Sequence, residues 1–458
     1  EIASCLVGSE MCIRDREYAF YKSNQSGYVT AGTETLDKYY LFIERALSLL
    51  KDDGVLGYIV PHKFMNIKSG AELRGLLSSH GNVRKIIHFG THQVFENRST
   101  YTCILIMSKQ PNTEFEIGFV QDLNRFLFEH DVNCTRYAAP YLSRQPWAFL
   151  PQDLISQLQK AEEHCEPLST LADIFVGVQT SADNIYIIHA DREDGHFVYS
   201  HEKDGTEIKL EKDILRKSVY DAKLTSYEKI EANSYIIFPY KEVDGKPKLY
   251  DIEEMEECFP NALEYLNRHK EALNKRNMPN RNDLNWYAFG RSQSLRRFMS
   301  GKHLVWPVLS LNSNYVYDDE MVVFTGGGNG PFYGLQMKQS SRESIFYVQA
   351  ILNHWLMELL VKSKASTFRG DYYSHGKQFI ASLPIYRIDF DNPIEVKKHD
   401  DIVRGVETIM HLKEQAKCAR NITERTVFER SASAVNHELN ALIDTLYQVE
   451  AQENEDEE

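Results

Sequence analysis

The densest run of residues able to hold an anion lies between residues 268 and 302. Arg268, Lys270, Lys275, Arg276, Arg281, Arg291, Arg296, Arg297 and Lys302 fall there, diluted only by Glu271 and Asp283. Clustered guanidinium and ammonium groups suit phosphate, which a nucleic-acid strand presents about every 3.4 Å. The stretch reads either as a phosphate contact or as a solvated helix face and loop. The formal net charge of −14 speaks, taken alone, against a nucleic-acid partner. That charge is unevenly spread, however. Glu450 to Glu458 is dominated by Glu and Asp, so the field around 268–302 can be positive while the sum is negative.

Other chemistries are less well served. Glu207-Ile208-Lys209, with Asp194 and Asp204, superficially suits a metal-dependent nuclease. Asp204-Gly205 is a hairpin turn signal, and alternating polar residues on a hairpin explain the pattern better. The sixteen histidines include no His-Glu-x-x-His arrangement. Seven cysteines, an odd number without a Cys-x-x-Cys pair, fit neither a disulfide framework nor a zinc site. No metal is expected. Gly326 to Gly330 fits a loop better than a phosphate cradle, and no serine or cysteine stands in a nucleophile context. No apolar run approaches the ~20 residues of a membrane span, and the N-terminus lacks a signal-peptide layout. A cytoplasmic protein without a membrane partner is expected.

These residues need elements to carry them. With 458 residues, 42% of them hydrophobic and 12% aromatic, the chain can bury cores in two or three domains. From Thr33 or Thr35 as cap, Leu36, Tyr40, Ile43, Ala46, Leu47 and Leu50 recur at helical spacing up to Gly54. Val55 to Val60, an apolar run before Pro61, predicts a buried strand. A helix over Ala71 to Ser79, capped by Ser69, follows. Strands are expected at Val83 to Phe89 and Tyr101 to Met107, the second an antiparallel return at one end of a largely parallel sheet. This block offers about three strands, half of a doubly wound domain. Residues 111–145 read as a linker. A second domain from about Trp147 contains short strand candidates at 173–178, 184–189, 197–200, 207–210, 234–238, 304–308 and 321–324. Helices are expected at 252–274 and 343–361, with a terminal pair at 401–417 and 435–448.

The first sixteen residues stand apart. Ser4 to Arg16 looks like a translated sequencing-adapter artefact, so residues 1–16 are excluded from fold reasoning. The expectation that follows is a native protein extending further upstream.

Leu36 to Glu44 and Gly54-Val55-Leu56-Gly57-Tyr58-Ile59-Val60-Pro61-His62-Lys63-Phe64 resemble adenine methyltransferases of type IIG restriction–modification systems. Val94 to Ile106 resembles the segment of that family whose Phe lies against the target adenine, with Phe95 in that position. Leu171 to Ile188 resembles the opening of a TaqI-like specificity domain. Phe368 to Phe379, with Leu383-Pro384-Ile385, resembles its end. The resemblance implies an α/β protein: a partial Rossmann-like methyltransferase sheet over 17–110, a mixed α/β DNA-recognition domain over 146–395, and a helical, acidic tail over 396–458. It implies S-adenosylmethionine as cofactor and double-stranded DNA as partner. The chain has no Pro-Pro dipeptide and no Phe-x-Gly-x-Gly. The family's Asn-Pro-Pro-Tyr motif and cofactor loop are therefore missing. The expectation is an inactive fragment, completed by a separate N-terminal methyltransferase piece; a DNA-reading specificity subunit without catalysis is the rival.

In that frame Phe95 is a base-stacking residue or a core aromatic at a strand entrance. Lys63, after the strand's C-terminal end, fits a phosphate contact or a solvated lysine; Asp37 fits the helix start. Candidate DNA contacts in the second domain are Gln179, Thr180, Ser181, Arg291, Gln293, Arg296, Arg297, Arg369, Tyr372, His375 and Lys377. Arg and Gln can pair with guanine and adenine edges respectively, and most basic contacts would go to phosphate. Taken singly, each is equally a surface polar residue.

Overall fold

A computed structural model describes residues 16–23, 25–32, 36–95, 100–150, 152–278, 282–326, 331–365, 367–368 and 372–450. The chain divides into two compact units, one of residues 1–150 with 362–373, the other of 151–361 with 374–458. The fold is mixed α/β with a C-terminal helical pair. Thr33, Thr35 and nearly all of the excluded N-terminal stretch lie outside the described residues.

The first unit is built on one five-stranded sheet. Helix α1 (Lys38–Leu49) precedes strand β1 (Val55–Pro61), and helix α2 (Ala71–Ser79) precedes β2 (Val83–His88). Strands β3 (Thr102–Ser108), β4 (Glu114–Phe119) and β5 (Cys134–Ala138) complete the order β1-β3-β2-β4-β5. Strand β3 is antiparallel to both β1 and β2, so it lies between them rather than at an end. Only β2 and β4 pair in parallel as neighbours. Residues 111–145, expected as a linker, add two strands and belong to this sheet. Their alternating pattern, with Phe115 and Ile117 buried between charged neighbours, is a half-buried strand.

Strand β1 differs most from expectation. It is an edge strand, and Val55 and Ile59 are exposed. Nothing lies within 4 Å of where a side chain at Gly57 would begin. An apolar run of this length reads as buried because local sequence carries no record of which neighbours a strand has. The opposite side of the sheet is filled: Tyr40, Ile43 and Leu47 of α1, Leu73 and Leu77 of α2, and Cys103, Leu105 and Met107 of β3 are buried. Trp147, expected to begin the second domain, is instead buried in the first unit, its N–H bonded to the Met65 carbonyl at 2.9 Å and its ring edge-on to Phe64.

The second unit is assembled from short, mainly antiparallel sheets, with Ser218-Val219 pairing in parallel with Val323-Phe324. One has the order β8-β7-β9-β6, from β6 (Ala172–Val176), β7 (His303–Pro307), β8 (Val316–Asp318) and β9 (Phe332–Met337). The hairpin at Asp204-Gly205 forms as expected between Phe197–His201 and Glu207–Glu211, with Gly205 at φ +86. The single helix expected over 252–274 is three, Ile252–Cys258, Pro260–Arg268 and Lys270–Asn274, interrupted first at Phe259-Pro260. Proline cannot supply an interior N–H and starts a helix readily. Residues 184–186, expected as strand, belong to a short helix, Asp183–Tyr186. The terminal pair is longer than its pattern suggested: α3 (Pro393–Lys417) and α4 (Ile422–Tyr447).

The turn after β1 is fixed from beneath by Arg74 of α2. Its side chain is 2% exposed and donates to the Phe64, Ile67 and Arg144 carbonyls at 2.5, 2.8 and 3.0 Å. Phe64 is itself fully buried, so solvent cannot readily replace the guanidinium at its carbonyl. Arg74→Met is expected to lower unfolding stability by about 3 kcal/mol, since stranded buried carbonyls cost roughly 1–3 kcal/mol each and not all stay unsolvated. Urea unfolding monitored by amide hydrogen exchange over residues 61–79 measures it; a loss within experimental error would show that the loop does not depend on Arg74.

Candidate base-stacking loop and nucleic-acid interface

In the first unit β1 and β2 run in the same direction, and their carboxyl ends present Pro61-His62-Lys63 and His88. Open α/β sheets bind ligands at this end. The imidazoles of His62 and His88 stack face to face at 4.2 Å between ring centres, 14° from parallel, and the Tyr101 ring lies 6.1 Å from His62, 26° from parallel. Burial pushes the His62 imidazole down to about 4, and burial followed by repulsion from His62 holds His88 well below its ordinary value. Both rings are therefore neutral near pH 7. His88 Nδ1 accepts the Gly90 N–H at 3.0 Å, and Gly90 adopts φ +55, where glycine is favoured. The chain turns there and runs to Phe95, whose side chain is 45% exposed. Residues 96–99 lie outside the described set. Lys63 and Asp37, read separately from sequence, form one ion pair at 2.9 Å.

The stacking of His62 on His88, 26 positions away, had no local sequence signal. His88 and His92 stand at His-x-x-x-His spacing. His88 ends a strand and His92 sits in the following turn, so the spacing does not align them on a helix face. Among the described residues no group of three metal ligands forms.

In the second unit the polypeptide leaving β6 is gripped at Gly177. A Cβ there would stand 2.4 Å from the Phe324 carbonyl oxygen, so only glycine lets the two backbones approach. Val178 N–H donates to Phe324 at 3.0 Å, and Gly326 N–H donates to Val178 at 3.0 Å. Gly290 N–H then bonds the Thr180 carbonyl at 3.0 Å and Arg291 N–H the Gln179 carbonyl at 3.1 Å. Residues 177–181, 290–293 and 325–326 thus form one locus. Trp286, Tyr287 and Phe289 anchor it; all are buried, and Phe289 N–H donates to the Tyr240 hydroxyl at 2.7 Å.

The sequence candidates divide by what their side chains do. Gln179, Ser181 and Arg291 share this locus; Arg291 and Ser181 are exposed, and Ser181 adopts φ +57. Arg296 is exposed. Thr180 is fully buried; its hydroxyl donates to Asp183 and accepts the Ala182 N–H. Gln293 donates to the Gly177 and Gly326 carbonyls at 3.2 and 3.1 Å. Arg297 turns inward to Asp173 at 2.9 Å and to Gln336. Lys377 donates to the Ile174 carbonyl at 3.2 Å. His375 is buried, with Glu358 at 3.1 Å and Ser310 at 3.2 Å. Tyr372 is exposed on a strand in the other unit, Arg369 lies outside the described residues, and so do Gly327 to Gly330. Arg276, seen in the sequence only as one charge among nine, is a brace: it donates to the Thr180 and Trp286 carbonyls at 2.7 and 2.8 Å. Its bond to Thr180 spans 96 positions, which no local pattern reveals.

Residues 11–95 match the family model described as Eco57I restriction-modification methylase. The chain is 30% identical over 424 residues to the type II restriction enzyme and methyltransferase RM.Eco57I of Escherichia coli, a match covering 90% of this chain and 42% of that protein. It is 27% identical over 407 residues to the type II methyltransferase M.HindII of Haemophilus influenzae, covering 82% and 73%. Among solved structures, the type IIL restriction-modification enzyme MmeI in complex with DNA shares the fold, at TM-score 0.56 and 14% identity over 92% of this chain and 50% of that one. The chain therefore spans less than half the length of RM.Eco57I. Among the described residues no helix is long and apolar enough to cross a membrane.

The neutral histidine stack gives the first unit a pH dependence. An unfolded imidazole titrates near 6.5 and folded His62 near 4, so between these values the unfolded chain binds more protons. Stability is complete above about pH 6.5 and declines as pH falls toward 4, by roughly 1–3 kcal/mol at pH 5. His62→Phe, which keeps a ring in the stack, should flatten this decline in urea titrations. An unchanged pH profile would refute the buried neutral state.

Proposed function

The chain belongs to the Eco57I-type restriction–modification methylase family, and from that premise we propose that it is part of an enzyme methylating adenine at N6 within a specific DNA site, in the cytoplasm. S-adenosylmethionine is the methyl donor in this reading. The adenine amine is a weak nucleophile whose lone pair is delocalised into the ring, and the base is stacked inside the duplex. The enzyme must extrude the base and orient it. Phe95 supplies one aromatic wall for that base. The reading is supported by its exposure on the segment that follows the carboxyl end of β2.

The residues present do not fit the methyl donor. The chain carries neither Phe-x-Gly-x-Gly nor Asn-Pro-Pro-Tyr, and the outer side of β1 is bare at Val55, Gly57 and Ile59. Helix α1 also leaves Phe42 and Leu49 exposed. An apolar edge strand left open invites another strand. We assign that position to a separate methyltransferase segment carrying the absent motifs. The cofactor and the groups that hold the amine belong to that segment, and no chemical step is derived from this chain for them.

In the second unit, duplex contact falls to the exposed Ser181, Arg291 and Arg296 and the half-buried Gln179; Tyr372 and Arg369 are assigned a like role in the first unit. Thr180, Gln293, Arg297, His375 and Lys377 support that surface through their internal bonds. Lys63 is held beside the first unit's ligand end by Asp37. The observation that carries the reading is the convergence of the exposed Arg291 and Ser181 and the half-buried Gln179 on one braced locus.

The chain alone should transfer no tritiated methyl to plasmid DNA. Supplied in trans with the motif-bearing segment of an Eco57I-type relative, it should do so. In that complex Phe95→Ala should lower methyl transfer about ten- to hundredfold, the range for loss of a base–aromatic stack, with duplex affinity nearly unchanged. Methyl transfer by the isolated chain, or an unaffected Phe95→Ala complex, would overturn the division of labour.

A further inference from the structure

We propose that Gln179 and Arg291 form a two-residue reader in which Arg291 pairs with a guanine and Gln179 with an adenine on neighbouring base pairs. The inference rests on the reading that the second unit binds duplex DNA, and goes beyond it by naming what is read and by which side chains.

Gln179 and Arg291 are partners in an antiparallel bridge. Directly opposed residues of such a bridge stand about 4.5–5.5 Å apart and project to one side. Base pairs stack about 3.4 Å apart, so two long side chains from one bridge can reach adjacent pairs. An arginine fork matches the two acceptors of guanine, and a glutamine amide matches the donor and acceptor of adenine.

The bridge is held rigid by groups that have no freedom left to read DNA. Gln293 ties Gly177 to Gly326, and Arg276 ties Thr180 to Trp286. Of the other cations in the 268–302 stretch, Arg297 is paired with Asp173 and Arg268 with Glu202 at 3.2 Å, while Arg296 is exposed. Among the described residues, the Arg291 and Gln179 side chains enter no hydrogen bond or ion pair. An exposed arginine and a half-buried glutamine, both planar and without internal bonds, stand on a braced bridge and are arranged for geometry-dependent recognition. A phosphate contact would need only charge. That difference makes Arg291→Lys the discriminating variant, because lysine keeps the charge and loses the fork.

The test is selection of a randomised duplex library by the full chain and its variants, followed by sequencing and by binding at several salt concentrations. The wild-type chain should enrich a motif containing guanine next to adenine. Arg291→Lys should lose the preference at that guanine by about ten- to hundredfold, and Gln179→Ala the preference at the adenine by a similar factor. Thermal melting should stay as in wild type, because neither side chain braces the fold. A wild-type motif that survives Arg291→Lys intact overturns the inference and leaves the DNA-binding reading standing. A wild-type chain that binds duplex without preference likewise overturns the inference alone, and one that does not bind duplex overturns both.

Discussion

The recognition surface of the second unit depends on one close approach of two backbones. At Gly177 the chain leaving β6 passes so near Phe324 and Thr325 that any Cβ would collide with main-chain atoms, which cannot rotate away. Everything distal follows from that contact. Val178 and Gly326 exchange backbone bonds across it, Gln293 closes it from the side, and the bridge of Gln179 to Arg291 emerges beyond it. Gly290 repeats the constraint on the other strand, where a Cβ would meet the Ser181 side chain. Rigid scaffolds that present adaptable loops are the usual way to place recognition groups. Here the rigidity comes from glycine permitting contact rather than from a large side chain filling space.

The first unit is organised by an asymmetry. One side of its sheet is packed with Tyr40, Ile43, Leu73, Leu77 and Leu105, and the turn beyond β1 is locked by Arg74. The outer side of β1 is open. The ligand end of the sheet lies between these regimes. Its two stacked imidazoles stay uncharged through burial, so they join strand ends without adding a field there. His88 passes that rigidity to the turn at Gly90, and thence toward Phe95.

Much of this was legible in the residues, and the remainder was hidden for identifiable reasons. The hairpin at Asp204-Gly205, the helices after Lys38 and Ala71 and the C-terminal pair follow from local turn chemistry and 3.6-residue periodicity. The grouping of Gln179, Ser181 and Arg291 was anticipated only as membership of one domain; their adjacency depends on pairing across more than a hundred positions. The inward turn of Arg297 to Asp173 spans 124 positions, and the burial of His375 against Glu358 needs a helix and a loop to meet. A basic stretch in sequence thus became a mixture of braces and open groups. Strand β1 was misread for the converse reason: its composition suits burial, while its place in the sheet leaves it at an edge.

Amide hydrogen exchange of the chain with and without duplex DNA tests the central claim most directly, because it reports which backbone segments the duplex covers. Slowed exchange is expected in 177–182 and 289–293, with little change along α3 and α4. Protection confined to the helical pair, with both loops exchanging as in the free protein, would contradict the account.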